Sequence, residues 1–200
     1  MNINAMFKIS YGLYILTSRD KGKDNGCIIN TFSQVTDTPN RVSVTVNKNN
    51  YTHDMIKNTG DFNVSVLTEE TDFAVFEHFG FQSGRDVAKF VDNQQMPRTE
   101  NGVVYVPAYT NAYISGKVIQ EVDLGTHTMF IADVVDCDII GDAESLTYSY
   151  YHKNVKPKPQ QSKAKGYRCR ICGYVYEGDE LPEDFICPLC KHGAADFEKI

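Results

Sequence analysis

The sequence predicts a mainly β protein, a closed or nearly closed antiparallel barrel with a few short helices, followed by a small metal-binding module. Three observations carry this. Alternating apolar and polar runs of about four to eight residues recur between turn-rich stretches through most of the chain. Helical periodicity is confined to short segments, and no G-x-G-x-x-G follows a predicted strand, so neither a doubly wound sheet nor a Rossmann nicotinamide site is supported. The segment from Tyr167 to Ile200 holds four cysteines as two C-x2-C pairs.

Taken in order, residues 4–10 form a short helical entry with Ala5, Met6 and Ile9 on one face. Tyr14 to Ser18 is the first predicted strand, Asp20 to Gly26 a polar turn and Cys27 to Phe32 the second strand. Arg41 to Val46 alternates as the third. Thr52 to Lys57 is helical and ends at Gly60, after which Phe62 to Leu67 alternates again. A second helix from Asp72 to Phe79 turns Phe73, Phe76 and Phe79 inward and stops at Gly80. Strands follow at 103–106, 112–121, 127–139 and 146–150.

The 200 residues divide into a barrel domain (1–152), a linker (153–166) and the cysteine module (167–200). The linker carries five lysines, no acids and Pro157 and Pro159. The prolines bias it towards an extended polyproline conformation of up to roughly 40 Å. On such an arm the module could swing between two docking sites, or the linker is a plain solvated spacer. A net charge of −6 without a basic face argues against nucleic-acid binding. Of six cysteines, Cys27 and Cys137 fall outside the metal pairs and are expected to be free, buried thiols in a reducing compartment. The N-terminus lacks a basic region before an apolar stretch, and no run reaches membrane-spanning length, so the expected location is cytoplasmic.

Cys169, Cys172, Cys187 and Cys190 make a four-thiolate metal site, because two C-x2-C turns facing each other complete a tetrahedron. So short a module buries too little apolar surface to fold alone, and the metal supplies much of its folding free energy. Spacing alone reads as zinc. The surroundings favour iron. Gly173 suits a turn with positive φ that aims N–H groups at sulfur. Tyr167, Tyr174, Tyr176, Phe185 and Phe197 supply an aromatic mini-core, and Ile171 and Leu189 can shield the sulfurs. Sulfur hydrogen bonds and restricted solvent tune a reduction potential, which zinc does not have.

Three polar clusters stand out in the barrel: Asn30 to Thr36 at a strand exit, Asn47 to His53 leading into a helix N-terminus, and Ser83-Gly84-Arg85-Asp86 with Lys89. Helix N–H groups and lysine can hold a phosphate. Each cluster alone reads equally as a solvated turn.

The run Tyr167-Arg168-Cys169-Arg170-Ile171-Cys172-Gly173-Tyr174-Val175-Tyr176, then Cys187-Pro188-Leu189-Cys190 and Phe197, resembles rubredoxin. The segment between the pairs is short, closer to rubredoxin-like domains fused to other redox proteins. Lys191 stands where a second knuckle glycine is usual, placing a non-glycine residue at positive φ for about 1 kcal/mol. Upstream, Lys8-Ile9-Ser10-Tyr11-Gly12-Leu13-Tyr14, Asn25-Gly26, Asn30-Thr31, Gln34-Val35-Thr36 and Asn47-Lys48 with Asn50-Tyr51-Thr52 are joined by later segments. These are Phe79-Gly80-Phe81, Ser83-Gly84-Arg85-Asp86, Lys89-Phe90 and Gly125-Thr126-His127-Thr128-Met129-Phe130. Together they resemble the flavin reductase-like FMN-binding split barrel over about residues 4–150.

That resemblance implies an antiparallel split β-barrel with a C-terminal rubredoxin-like domain, and FMN held at a homodimer interface. By position, Asn30, Thr31, Phe32, Ser33, Gln34 and Thr36 would line the isoalloxazine and ribityl chain. Lys48, Asn50, Tyr51 and Thr52, with Ser83, Arg85 and Lys89, would form the phosphate side. His127 would stand near the ring where related reductases position a nicotinamide, with Thr126 where the family often has an acid; a strand-end histidine bonded to backbone is the plainer alternative. NAD(P)H gives two electrons at once and an Fe(Cys)4 site takes one, so FMN between them converts pairs to single electrons. The resemblance points to a flavodiiron oxygen or nitric oxide reductase as acceptor. A reductase that releases reduced FMN, and a non-catalytic flavin or zinc-binding module, stay open.

Overall fold

The computed structural model describes residues 2–90, 96–157, 166–188 and 192–200. After a 3-10 helix, Ile3–Lys8, come β1 (Tyr14–Asp20), β2 (Lys23–Ile29), β3 (Phe32–Asp37) and β4 (Asn40–Asn47), then helix α1 (Tyr51–Thr59), β5 (Asp61–Leu67) and helix α2 (Phe73–Gly80). The long strands β6 (Thr110–Asp123) and β7 (His127–Ile139) follow. A helical turn, Tyr148–Tyr150, then runs into a π-helix, Tyr151–Val155.

The seven strands form one antiparallel sheet in the order β2-β1-β5-β6-β7-β4-β3. Its edge strands, β2 and β3, are consecutive in the chain, with only Asn30 and Thr31 between them. Three peptide steps span at most about 11 Å, so the two edges must meet and the sheet must curl into a barrel split along that seam. One core fills the barrel. β4 turns Val42, Val44 and Val46 into it, joined by Leu16, Phe62, Val64 and Phe130. A second core lies outside β1, where Leu13, Ile15 and Leu67 pack against Phe76 and Phe79 of α2 and against Leu146 and Tyr151. β1 is therefore covered on both faces and loses its alternation. Gly60 ends α1 in the left-handed region at φ 73°, as its type predicts.

Four expected elements differ. The polar stretch Asp20 to Gly26 is mostly strand; only Lys21 and Gly22, both at positive φ, form the hairpin turn, and Asp20 pairs with Lys23. The polar strand residues have partners of their own: Asn25 donates to Thr52 Oγ1, and Asp24 meets Arg19 and Arg98. The predicted strand Cys27 to Phe32 breaks at Asn30, and Phe32 opens β3, which pairs with β4. Residues 103–106 have the buried valines of a strand but no ladder. Side chains of β1 and β5 take its polar groups: Thr17 Oγ1 donates to Val104 O, Asn63 Nδ2 to Val103 O, and Ser65 Oγ accepts from Val106 N. Residues 146–150 touch the sheet only through single bridges at Ser145 and Thr147, after which Thr147 accepts from Tyr150 N and starts the helical turn. That helix continues through Val155, so the first three residues expected in the linker are helical; 158–165 lie outside the described residues. At the start of the chain Ala5, Met6 and Ile9 are exposed.

Cys27 and Cys137 are both free, but only Cys27 is buried; Cys137 stands exposed on β7. No helix of the described residues is long and apolar enough to cross a membrane.

The Asp24 carboxylate is fully covered, beside guanidiniums that are about one third exposed (Arg98 28%, Arg19 34%). Arg98 grips it with two nitrogens at 2.9 and 2.8 Å, and Arg19 with one at 2.9 Å. Burial raises the carboxyl pKa, yet the hydrogen bonds and charges of Arg98 and Arg19 outweigh it and hold the group below the carboxylate range. Stability from this pairing is present above the ordinary carboxylate pKa of about 4 and lost as pH falls through the lower folded value. Asp24→Asn is expected to cost about 1–3 kcal/mol at neutral pH and close to nothing near pH 2, as checked by urea unfolding at both.

Candidate functional site

A cleft of about 440 Å³ opens where the barrel is split. Asn30 and Thr31, the two residues that join the edge strands, line it with Thr45 and Asn47 of β4. They are fixed by backbone: Thr45 N donates to Thr31 O, and Thr31 Oγ1 donates to Thr45 O. Leu13, Ile29, Phe76 and Phe79 give the cleft an apolar side; Asn50, Tyr51 and Thr52 at the start of α1, with Gln82 and Ser83, give it a polar one. Such a mix suits a planar aromatic ligand with a polar tail. Asn50 occupies the N-cap of α1 without a side-chain cap bond; His53 N donates to Asn50 O, and the N–H groups of Tyr51 and Thr52 at the helix start are ready donors to an anion.

The cations behave differently. Lys48 is paired with Asp123 at 2.7 Å, and Arg85 with Asp54 at 2.6 Å while its guanidinium lies 5.2 Å over the Tyr51 ring. Neither lines the cleft. Against burial, which raises it, hydrogen bonds from His53 and Arg85 bring the Asp54 carboxyl down. Lys89 does line the cleft but is buried, and its ammonium donates to Gly26 O and Phe79 O at 2.8 Å each, clamping β2 to α2. Burial lowers its pKa and the neighbouring Cys27 opposes that; burial pushes the Cys27 thiol up. Phe32, Ser33, Gln34 and Thr36 stand on β3 beyond the cleft lining. Phe32 packs on Tyr14 at 5.2 Å, and the other three bond within or near the β3–β4 hairpin. His127 opens β7 opposite Asn47 and lines the cleft, its Nδ1 2.9 Å from Thr126 Oγ1. Threonine thus takes up the ring orientation.

Sequence reasoning missed one wall. Tyr148, Tyr151 and His152 line the cleft, although Tyr148 reads as part of a strand and 151–152 as the close of the barrel domain with no role assigned. The cluster of aromatic residues from 148 to 152 was the available signal. His152 packs edge-on against Tyr148 at 4.4 Å, and burial, with Lys156, lowers its pKa.

The last residues of the lining, Ile171 and His192, belong to the cysteine module. There β8 (Tyr167–Cys169) pairs with β9 (Val175–Tyr176) and β10 (Phe197–Lys199). Cys169, Cys172 and Cys187 place their sulfurs within 4.8 Å of one another, with Cys172 and Cys187 3.5 Å apart. A tetrahedral thiolate site with metal–sulfur bonds of about 2.3 Å needs sulfurs about 3.8 Å apart, so these three fit a bound metal. Cys190, with Leu189 and Lys191, lies outside the described residues. Gly173 takes φ 83° and donates to Cys169 O, while Cys169 N donates to Tyr174 O, which closes the first knuckle. Phe185 gathers Tyr174, Tyr176 and Phe197 around it. Tyr167 pairs across the ladder with Tyr176, with Lys199 over its ring. Ile171 is 38% exposed and reaches the cleft lining.

The flavin reductase like domain model matches residues 6–158, and the rubrerythrin, rubredoxin-like domain model matches 167–198. Fold and site together define an oxidoreductase of the flavoprotein class that carries its own rubredoxin-type, iron-binding centre. The chain is 35% identical to "High molecular weight rubredoxin" of Moorella thermoacetica over 100% of both chains. It is 42% identical to "Ferric-chelate reductase (NAD(P)H)" of Archaeoglobus fulgidus over 79% of this chain and 93% of the relative. Among solved structures, flavin reductase PheA2 superimposes with TM-score 0.59 at 26% identity, covering 72% of this chain and 88% of that one. This protein belongs to the flavin reductase family, in the form fused to a C-terminal rubredoxin-like domain.

Proposed function

We propose that the protein is a two-to-one electron converter: NAD(P)H reduces FMN bound in the cleft, and electrons leave singly through the Fe(Cys)4 centre to a redox protein. The Archaeoglobus fulgidus relative, a ferric-chelate reductase, is named for a nicotinamide donor. Ile171 carries the reading. It adjoins the ligand Cys172 and lines the same cleft as Asn30, Thr31 and His127, so the metal loop and the flavin side share one wall.

Bound FMN would supply the change from paired to single electrons. Asn30, Thr31, Thr45 and Asn47 hold the ring system and sugar chain, and the α1 N-terminus with Ser83 holds the phosphate. Tyr51 and Thr52 act chiefly through backbone N–H groups and Asn50 through its side chain, with Arg85 close by over Tyr51. His127 presents its imidazole to the nicotinamide, steadied by Thr126. Cys169, Cys172, Cys187 and Cys190 hold the iron. The acceptor is a flavodiiron oxygen or nitric oxide reductase. The protein works as a homodimer, in which the exposed apolar side chains of Ile119 on β6 and of Val135 and Ile139 on β7 are available to a second copy. Its free thiols suit a reducing cytoplasm.

The purified protein should show flavin and ferric–thiolate absorption with about one flavin and one iron per chain, and anaerobic NADH or NADPH should bleach the flavin and then the iron. Zinc in place of iron, or a ferric band that survives complete flavin reduction, overturns the proposal. Flavin lost on gel filtration, with turnover set by added free flavin, would instead mark a reductase that hands on reduced flavin.

A further inference from the structure

We infer that Lys156 is a positioning residue, a latch that seats the iron-binding loop at the mouth of the flavin cleft so that electrons cross within one chain. The inference rests on the electron-transfer reading above.

Lys156 is rooted on the barrel side. Its backbone N–H donates to Tyr151 O at 2.8 Å, at the end of the π-helix, and Tyr151 is only 7% exposed in the second core. The ammonium points to the other module. It donates to Arg170 O at 3.1 Å and to Ile171 O at 2.6 Å, the two carbonyls between Cys169 and Cys172. A lysine that served only its own helix would bond that helix's carbonyls; this one bonds the metal loop, fourteen and fifteen residues on. Ile171, whose carbonyl is held, and His192 line the cleft together with Tyr151.

The chemistry agrees with the geometry. Four thiolates around iron leave a net negative centre that gains one more negative charge on reduction, and a compact ammonium with several donors complements both the loop carbonyls and that charge. Lys156 thus fixes a short path between flavin and iron and favours the reduced iron. Losing it should leave the module tethered but unseated, and small displacements from a productive geometry slow transfer steeply.

The test uses the full chain loaded with flavin and iron, as wild type, Lys156→Met and Lys156→Arg. After an anaerobic pulse of NADH or NADPH in a stopped-flow instrument, bleaching of the ferric band should be at least about tenfold slower in the Met variant, with flavin bleaching unchanged. Wild-type iron reduction should be independent of protein concentration. Backbone amides 169–173 should exchange hydrogen faster in Lys156→Met, and the iron midpoint potential should move negative; Lys156→Arg should restore both. Equal bleaching rates and equal amide protection in wild type and Lys156→Met overturn the latch. Failure of the wild-type iron to accept electrons from reduced flavin overturns the electron-transfer reading instead, and amide protection then still decides whether the latch exists.

Discussion

Replacing Cys172 by serine is expected to abolish electron delivery to any protein acceptor, while reduction of bound flavin by NAD(P)H stays within about twofold of wild type. The asymmetry follows from where the residue sits. Cys172 lies 3.5 Å from Cys187 in a three-sulfur cluster, and its module has only the small aromatic group around Phe185 as a core. A four-thiolate site missing one thiolate binds its metal far more weakly. In a module of about thirty residues, metal binding is most of the folding free energy. The barrel, by contrast, folds round two apolar cores that contain none of the metal-ligand cysteines. The check is iron content, the ferric–thiolate band and acceptor reduction measured beside flavin bleaching. Acceptor reduction at the wild-type rate in an iron-free variant would remove the metal centre from the electron path.

The second large effect is expected at Lys89. Lys89→Met should lower stability by about 2–3 kcal/mol and weaken flavin retention at least about tenfold. Its ammonium is buried and donates to Gly26 O on β2 and Phe79 O near the end of α2. Methionine fills a similar volume but leaves both carbonyls without that donor, at about 1–3 kcal/mol each, offset in part because a buried charge no longer has to be desolvated. The two elements it ties are cleft walls, and Cys27, Phe79 and Lys89 itself all line the site. Urea unfolding of the apoprotein and flavin titration separate the two effects. An unchanged urea midpoint would mean that packing of Phe76 and Phe79 alone holds α2 in place.

Lys89 also shows how far residue type reaches. A lysine beside a glycine-flanked, cationic loop has the composition of a phosphate site, yet the chain folds its ammonium inward onto two carbonyls. Lys48 and Arg85 likewise meet Asp123 and Asp54, partners distant in sequence, so local composition does not reveal that these charges are already matched. Asn30 and Thr31 line the cleft, but the predicted strand runs through them to Phe32; the break at Asn30 follows from Phe32 pairing with β4, a contact no local pattern announces. The polar hairpin was misread because Asp24 and Asn25 look like turn residues until Arg98 and Thr52 arrive from elsewhere. Residues 103–106 were misread because their valines are buried like those of a strand, while their hydrogen bonds are shared between a single bridge to residues 97–99 and side chains of β1 and β5.

By itself, the sequence determined the two-part build, the first thiolate knuckle, the strand-rich barrel and the helix stop at Gly60. Each of these is set within a few residues, by side-chain period, by ligand spacing or by a backbone angle that glycine tolerates. Tertiary structure alone decided which cations are already paired, that Tyr148, Tyr151 and His152 wall the cleft, and that Lys156 holds the loop between Cys169 and Cys172. Those outcomes depend on contacts between groups far apart in the chain, and no local pattern encodes which distant partner a side chain will meet.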